Sequence, residues 1–222
     1  MKKWSVFMAA AAAAAAGSAV AVRKLKNRMA EAEETRYANA DFVRVKDYIP
    51  DIEVELAYAT KDNFTGEVIY DFTEGWLRYG TVRKLGEAQK ILREKGYRLK
   101  IWDAFRPVSA QFKLWEVCPD ARFVADPTKG FSTHSRGNTV DVTLVDMEGN
   151  YVEMPTAFDD FSEKAHRDYY PWIEDPAVVE HVKLLEDTMT ACGFQPYINE
   201  WWHFSDEEDY PVGMDFEPPK EQ

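Results

Sequence analysis

The chain has 222 residues, of which 45% are hydrophobic and 14% aromatic. That is enough apolar material for the core of one domain, and it excludes a wholly disordered chain. The chain carries 27 basic and 39 acidic side chains, for a formal net charge of −12. Because such a surface repels phosphate backbones, nucleic acid is not expected as a partner. Two cysteines, Cys118 and Cys192, are too few for a disulfide scaffold or a cysteine-ligated zinc site, and they form at most one bridge.

The first 28 residues differ from the rest of the chain. Two lysines precede a charge-free, alanine-rich stretch at 4–22, and a basic cluster follows it. This order is typical of a secretory signal peptide. The alternative is an uncleaved membrane anchor, since about 20 apolar residues cross a bilayer; a soluble alanine-rich helix fits less well because nothing on it is amphipathic. We expect an exported protein, periplasmic or anchored on the extracytoplasmic side, with a linker at 29–40 and a folded domain at 41–222.

The first half of this domain contains five predicted elements. Apolar and polar residues alternate over 42–45 and 52–56, which predicts two short strands. An apolar stripe over 81–95, closed by a glycine, predicts an amphipathic helix. Alternation over 97–103 predicts a third strand, and a helix is predicted over 108–117 after an Arg-Pro break.

The second half continues the same mixture. Residues 139–145 alternate as a strand with Asp141 on its polar face. An Asp-Pro pair, the preferred cap-then-proline order, opens a helix that runs to Gly193, and residues 194–204 are predicted as a strand. The fold class is therefore α+β: a single domain with a mostly antiparallel sheet flanked by helices.

Two of the four histidines have unusual neighbours. His134 precedes a Gly-Asn turn that can fold it back toward Asp141, and His203 follows Glu200 and two tryptophans. Two imidazoles and one carboxylate are a common catalytic zinc set that leaves the fourth tetrahedral position open. A second carboxylate nearby can act in proton transfer. A buried Asp–His pair that stabilises a turn is the alternative, and these residues alone leave both open.

Glu200 and His203 impose a geometric condition on any such site. They are three residues apart, so a flat strand points their side chains to opposite faces. A bulge or tight turn at the intervening Trp201-Trp202 pair is required to bring both into one site.

Four segments together resemble a known family. The motifs at 132–141, 200–203 and 102–107, with the segment at 58–66, are similar to the VanX-type D-alanyl-D-alanine dipeptidases. These belong to a larger group of zinc D,D-peptidases that includes D,D-carboxypeptidases and relatives of the Hedgehog signalling domain, and the resemblance implies their fold. It covers 52–211 with the motifs in family order.

The resemblance implies a role for each matching residue. His134, Asp141 and His203 are expected as ligands of one Zn²⁺ ion, and Glu200 as the general base and acid. Arg106 is expected to stabilise the oxyanion on the scissile carbonyl. The alternative for Arg106 is a helix-start arginine that only pairs with the nearby aspartate of the same motif.

Three further positions match substrate-binding positions of the family. Ser132 is expected near the substrate's C-terminal residue, and Tyr58 with Asp159 at its ammonium group. An anion there would confine the enzyme to dipeptides, because a longer chain would bury that carboxylate unpaired. Thr139 departs from the family, which usually has alanine, and is expected to narrow or polarise the site.

The function implied is zinc-dependent hydrolysis of D-Ala-D-Ala to two D-Ala, with substrate from cell-wall turnover. Two alternatives stay open. A D,D-carboxypeptidase that trims peptidoglycan stem peptides would cleave N-blocked substrates, whereas a dipeptidase would not. A non-catalytic zinc domain that binds cell wall or a protein partner would need neither Glu200 nor Arg106.

Overall fold

The computed structural model describes residues 36–121 and 123–220. The predicted signal or anchor segment and most of the predicted linker lie outside the described residues. From Asn39 onward the chain forms one compact unit. Within the described ranges, no helix combines the length and the hydropathy that crossing a membrane requires. Cys118 and Cys192 are both free thiols.

The described residues contain two sheets, whose strands are β1 (Phe42–Arg44), β2 (Glu53–Val54), β3 (Trp76–Arg78), β4 (Tyr97–Asp103), β5 (Thr139–Asp146), β6 (Phe194–Pro196) and β7 (His203–Asp206). The main sheet has the order β2-β4-β5-β7-β6, and β1 pairs with β3 separately. The β2–β4 pair is parallel and the other pairs are antiparallel. The predicted α+β class with a mostly antiparallel sheet is confirmed.

Four α-helices accompany the sheets in the described residues: α1 (Val45–Tyr48), α2 (Tyr79–Glu94), α3 (Val108–Val117) and α4 (Pro176–Ala191). The long helices α2 and α4 pack on the main sheet and against each other, as their apolar stripes predict. The start of α4 is capped as its sequence indicates, because the Asp175 carboxylate accepts a hydrogen bond from the Ala177 amide at 2.8 Å. Short 3₁₀ helices occupy Ala57–Ala59, Thr133–Arg136, Glu163–Ala165 and Arg167–Trp172.

The segment predicted as one strand over 194–204 is two strands joined by a tight turn, so that prediction is wrong in its middle. The amide of Glu200 donates to the carbonyl of Tyr197 at 3.3 Å, and the amide of His203 donates to the carbonyl of Glu200 at 3.3 Å. The Tyr197 amide donates to the His203 carbonyl at 3.1 Å and closes the turn. This turn meets the geometric condition that the Glu200–His203 spacing imposes.

One row across three strands of the main sheet brings two aspartates and a histidine side by side. Asp141 lies on β5, the central strand, and pairs with Asp103 on β4 and with His203 on β7. The register between β4 and β5 shifts by one residue at Trp102, which is a β-bulge. Because the side-chain period of a strand is two, that extra residue turns Asp103 to the same face as Asp141.

Candidate active site

The three predicted metal ligands lie together at this row. His134 enters from the 3₁₀ helix before β5, and its Nε2 lies 3.3 Å from Oδ2 of Asp141. Nδ1 of His203 lies 3.0 Å from Oδ1 of the same carboxylate. One ligand atom from each of the three residues falls within 4.8 Å of the others. The cross-strand register of β5 and β7 therefore places two ligands side by side, and the turn before β5 adds the third.

The polar atoms of this cluster fit a bound cation. Oδ1 of Asp141 is buried without a hydrogen-bond partner in the described residues, although Nδ1 of His203 faces it. A buried oxygen left in this way is costly unless something else satisfies it. Nδ1 of His134 lies 2.8 Å from the Ala104 carbonyl, which only accepts, so this nitrogen carries the proton and Nε2 presents its lone pair. Two imidazole nitrogens and a carboxylate fit Zn²⁺ in a site with one open position.

Charge reinforces this arrangement. Burial alone would raise the pKa of Asp141, but His134 and His203 outweigh burial and hold the pKa of that carboxyl well below its usual range. Burial lowers the pKa of His134, and the carboxylates of Asp141 and Asp103 outweigh it and raise this pKa. Metal binding at the cluster therefore competes with a proton.

Glu200 lies beside the cluster without belonging to it. The tight turn brings its Oε2 to 3.4 Å from Nδ1 of His203. Burial raises the pKa of Glu200, and the neighbouring His203 opposes that rise. A carboxyl group with a raised pKa beside a metal ligand suits proton transfer near neutral pH.

Arg106 is buried and held from two sides. Its Nη2 donates to Oδ2 of Asp103 at 2.6 Å, and its Nη1 donates to Oε1 of Gln111 at 3.1 Å. The Tyr70 hydroxyl donates to the other oxygen of Asp103 at 2.7 Å. Burial lowers the pKa of Arg106, but Asp103 more than offsets it and keeps the guanidinium charged. The ion pair with Asp103 is present, and it fixes a cation that also lines the site, so the two expectations for Arg106 are compatible.

All eight predicted site residues line one cavity of about 100 Å³. At one part of it the Tyr58 hydroxyl donates to the Asp159 carboxylate at 2.9 Å, across 101 positions of sequence. Burial, with the charge of Asp141, raises the pKa of Asp159 well above its usual range. Asp159 has a φ of +56°, the one positive value outside glycine in the described residues. A backbone in this region costs about 1–3 kcal/mol, and it occurs here at a residue that lines the cavity.

Ser132 and Thr139 act at the border of this cavity. The Ser132 hydroxyl accepts a hydrogen bond from the His134 amide at 3.3 Å, so it caps the 3₁₀ helix that carries the first ligand. A second, wider cavity of about 480 Å³ adjoins and shares Ser132, Glu200 and His203. The Thr139 hydroxyl lies 2.9 Å from Oγ of Ser205, which lines that wider cavity. Thr139 is fully buried and lines neither cavity, so it does not narrow them and its hydroxyl reaches the wider one only through its contact with Ser205.

Sequence patterns missed two of the three residues that hold the Arg106 side chain in place. Gln111 lies on α3, where helical periodicity indicates only a polar position. Tyr70 lies between predicted elements and carries no motif. The third, Asp103, is the aspartate of the Trp-Asp-Ala-Phe-Arg-Pro segment that was expected to pair with Arg106.

The chain matches the D-Ala-D-Ala dipeptidase family over residues 38–216. It belongs to that family. The D-alanyl-D-alanine dipeptidase of Escherichia coli is 42% identical over 155 residues, covering 70% of this chain and 79% of the relative. That of Enterococcus faecalis is 31% identical over 191 residues, covering 77% and 94%. The solved structure of VanYB in complex with D-Alanine-D-Alanine is 16% identical, covers 74% of this chain and 80% of its own, and has a TM-score of 0.38.

Family membership makes this dipeptidase homologue a zinc metallopeptidase. In its described residues, the cluster of His134, Asp141 and His203 is the place that fits the ion.

Proposed function

We propose that this protein hydrolyses free D-Ala-D-Ala to two molecules of D-Ala, with the eight cavity residues in the roles the family resemblance implies. The observation that carries the proposal is the shared cavity. Its walls hold a three-ligand metal site, a carboxyl group suited to proton transfer, a fixed cation and a buried carboxyl group with which an ammonium group can pair. A peptidase for a short substrate with a free ammonium group needs each of these parts.

The hydrolytic step uses Glu200 beside the metal ligands. A zinc ion held by His134, Asp141 and His203 supplies Lewis acidity and lowers the pKa of water. Glu200 accepts the proton of the attacking water and then delivers it to the leaving amine. Its position 3.4 Å from His203 and its raised pKa support both halves of that transfer.

Arg106 stabilises the charge that develops on the scissile carbonyl oxygen. Its bonds to Asp103 and Gln111 use one N–H on each terminal nitrogen, so each terminal nitrogen keeps a second N–H to donate. Because these partners hold the guanidinium in place before substrate arrives, no reorganisation is required during the reaction.

Asp159 and Tyr58 select the dipeptide. The Asp159 carboxylate, oriented by the Tyr58 hydroxyl, pairs with the substrate's ammonium group. An N-blocked stem peptide would bring no cation to Asp159, so its raised pKa would keep it protonated and the charge-assisted pair with the substrate would be lost. This feature favours the dipeptidase over the D,D-carboxypeptidase. A non-catalytic binding domain gives no reason for the arrangement of Glu200 and Arg106.

The N-terminal 28 residues support export and a role in cell-wall turnover, with attachment to the membrane through residues 4–22 if that stretch stays uncleaved. Fractionation of cells that express the full chain, followed by the intact mass of the recovered protein, tests this. A shortened chain outside the cytoplasm indicates a cleaved signal, and a full-length chain in the membrane fraction indicates an anchor. Recovery of the full-length chain from the cytoplasm would contradict export.

The activity is tested with the full chain on free D-Ala-D-Ala and on N-acetyl-D-Ala-D-Ala, each with and without a chelator, with Glu200→Gln as the control. Cleavage of the free dipeptide alone, lost with chelator and in the variant, is the expected result. Cleavage of the acetylated substrate at a similar rate would assign the protein to the carboxypeptidases. Zinc binding without cleavage of either would leave a binding domain.

A further inference from the structure

Arg167 is a buried arginine that the reaction described above does not use. It lies at the start of the 3₁₀ helix Arg167–Trp172, and only 8% of its surface is exposed. Arginine is almost never buried to this degree without partners. Its partners therefore indicate what this residue does.

The guanidinium of Arg167 donates to four backbone carbonyls of the turn between β6 and β7. Nε donates to the carbonyl of Tyr197 at 2.8 Å. Nη2 lies within hydrogen-bond distance of the carbonyls of Glu200 (3.1 Å), Trp201 (3.0 Å) and His203 (3.2 Å). Two of these four carbonyls belong to the proton-transfer residue and to a metal ligand.

The shape of the turn explains why a cation stands there. Its own amides close it from one side through the bonds that link residues 197, 200 and 203. The carbonyls of Tyr197, Glu200 and His203 each accept one of these amides, and the guanidinium is the second donor to each of them. A planar guanidinium offers five N–H groups in a fixed fork, whereas an ammonium offers three at a single point.

The remaining contacts of Arg167 hold the guanidinium itself. Nη1 donates to the Glu186 carboxylate on α4 at 2.6 Å and to the Tyr170 hydroxyl at 3.2 Å. The guanidinium carbon lies 4.6 Å from the centre of the Phe204 ring on β7. The backbone amide of Arg167 also donates to the Ile198 carbonyl at 2.9 Å. The turn is thereby tied through one side chain to a rigid helix.

We propose that Arg167 is a positioning residue that holds the 197–203 turn in the form that brings Glu200 and His203 into one site. It acts through the backbone of the turn and contacts neither the ligand atoms nor the substrate. The inference rests on the proposed function for its effect on rate. Its effects on the turn and on metal affinity do not require any particular substrate.

Three variants of the full chain separate this role from charge balance and from general stability. Arg167→Lys keeps the positive charge near Glu186 but loses the fork of donors. Glu186→Gln removes the anion and leaves the carbonyl contacts. Arg98→Lys is the matched control, because Arg98 is largely buried, donates to the Asp51 carbonyl and pairs with a carboxylate at the opposite end of β4 from Asp103.

The first readout is amide hydrogen exchange of the 197–203 turn in metal-free protein, and the second is zinc affinity by competition with a chelator. Arg167→Lys is expected to speed exchange at the amides of residues 200 and 203 and to weaken zinc binding about 10- to 100-fold. The kcat for D-Ala-D-Ala is expected to fall about 100-fold with little change in KM. Arg98→Lys and Glu186→Gln should stay near wild type in all three.

Opposite outcomes overturn the proposal. If Glu186→Gln costs as much as Arg167→Lys, the arginine serves only to balance charge. If Arg167→Lys matches the Arg98→Lys control, or if it yields no folded protein, Arg167 is a stability residue and not a positioning residue. If the wild type cleaves no D-Ala-D-Ala, the proposed function fails, and the exchange and zinc measurements still decide the role of Arg167.

Discussion

Replacing Asp159 by asparagine is expected to lower activity and raise stability together. The amide keeps the size of the side chain and still accepts the hydrogen bond from Tyr58, so the change removes charge alone. A buried hydrogen bond to a charged group contributes about 1.5–3 kcal/mol. Since each 1.36 kcal/mol is a factor of ten in rate, kcat/KM for free D-Ala-D-Ala should fall about 10- to 160-fold. The preference over N-acetyl-D-Ala-D-Ala should shrink by a similar factor.

The stability effect follows from the raised pKa of Asp159. Burial, together with the charge of Asp141, makes the folded protein hold this proton more tightly than the unfolded chain does. Stability therefore falls as pH rises from the unfolded pKa, about 3.8, through the raised folded pKa, and it stays lower above that. Asparagine has no such proton. Metal-free Asp159→Asn should unfold at a higher temperature than metal-free wild type at neutral pH, and the gap should narrow as the pH falls.

Asp160→Asn is the matched control, because it makes the same change one residue along the same loop. Its carboxylate accepts a hydrogen bond from the Ser162 amide and does not line the 100 Å³ cavity. Release of D-Ala and thermal unfolding from pH 5 to pH 8 are measured on both variants. The reasoning is refuted if Asp159→Asn keeps kcat/KM within about twofold of wild type, or if Asp160→Asn loses as much.

Three further predictions follow from the site and its scaffold. Glu200→Gln should lower kcat by about 10²–10⁴-fold while retaining stoichiometric zinc, and loss of zinc in this variant would place the residue among the ligands. Chelation should abolish hydrolysis and lower the melting temperature, and added zinc should restore both. The loss of stability is about 2.7 kcal/mol if the free zinc concentration was 100 times its Kd. Activity that survives chelation would contradict the metal mechanism. Gly137→Ala should lower the free energy of unfolding, measured in urea, by about 2–5 kcal/mol. The reason is that φ is +76° at this position and the new Cβ would lie 2.3 Å from the Phe42 ring. A loss below about 0.5 kcal/mol would show that the ring moves aside freely.

Elements with a strong local pattern were predictable from sequence. The helix over 108–117 has the predicted bounds, and the strand over 97–103 does as well. The strand is marked by its alternation of apolar and polar residues, and the start of the helix is marked by the Arg-Pro break before it. The residue pattern alone left both a zinc site and an Asp–His pair open, and only the family motifs separated them.

The turn at 197–203 and its arginine could not be predicted in the same way. The tryptophans Trp201 and Trp202 fit the pattern of a strand as well as that of a turn, because both rings are buried. Arg167 stands in a charged segment that suggests solvent exposure. The backbone carbonyls that it contacts lie 30 to 36 positions further along the chain, and every residue type has the same backbone carbonyl. No side-chain pattern can signal such a contact.

The bulge at Trp102 makes the site depend on the number of residues in a strand as well as on their identity. If β4 ran through this point without the bulge, Trp102 would pair with Asp141, and Asp103 would fall opposite Val140 on the other face of the sheet. Arg106 would then lose its anionic partner, although every catalytic side chain would still be present. A sequence that carries all the motif letters but forms a regular ladder here would therefore lack a complete site. Spacing across the strand is thus a separate criterion for recognising working members of this family.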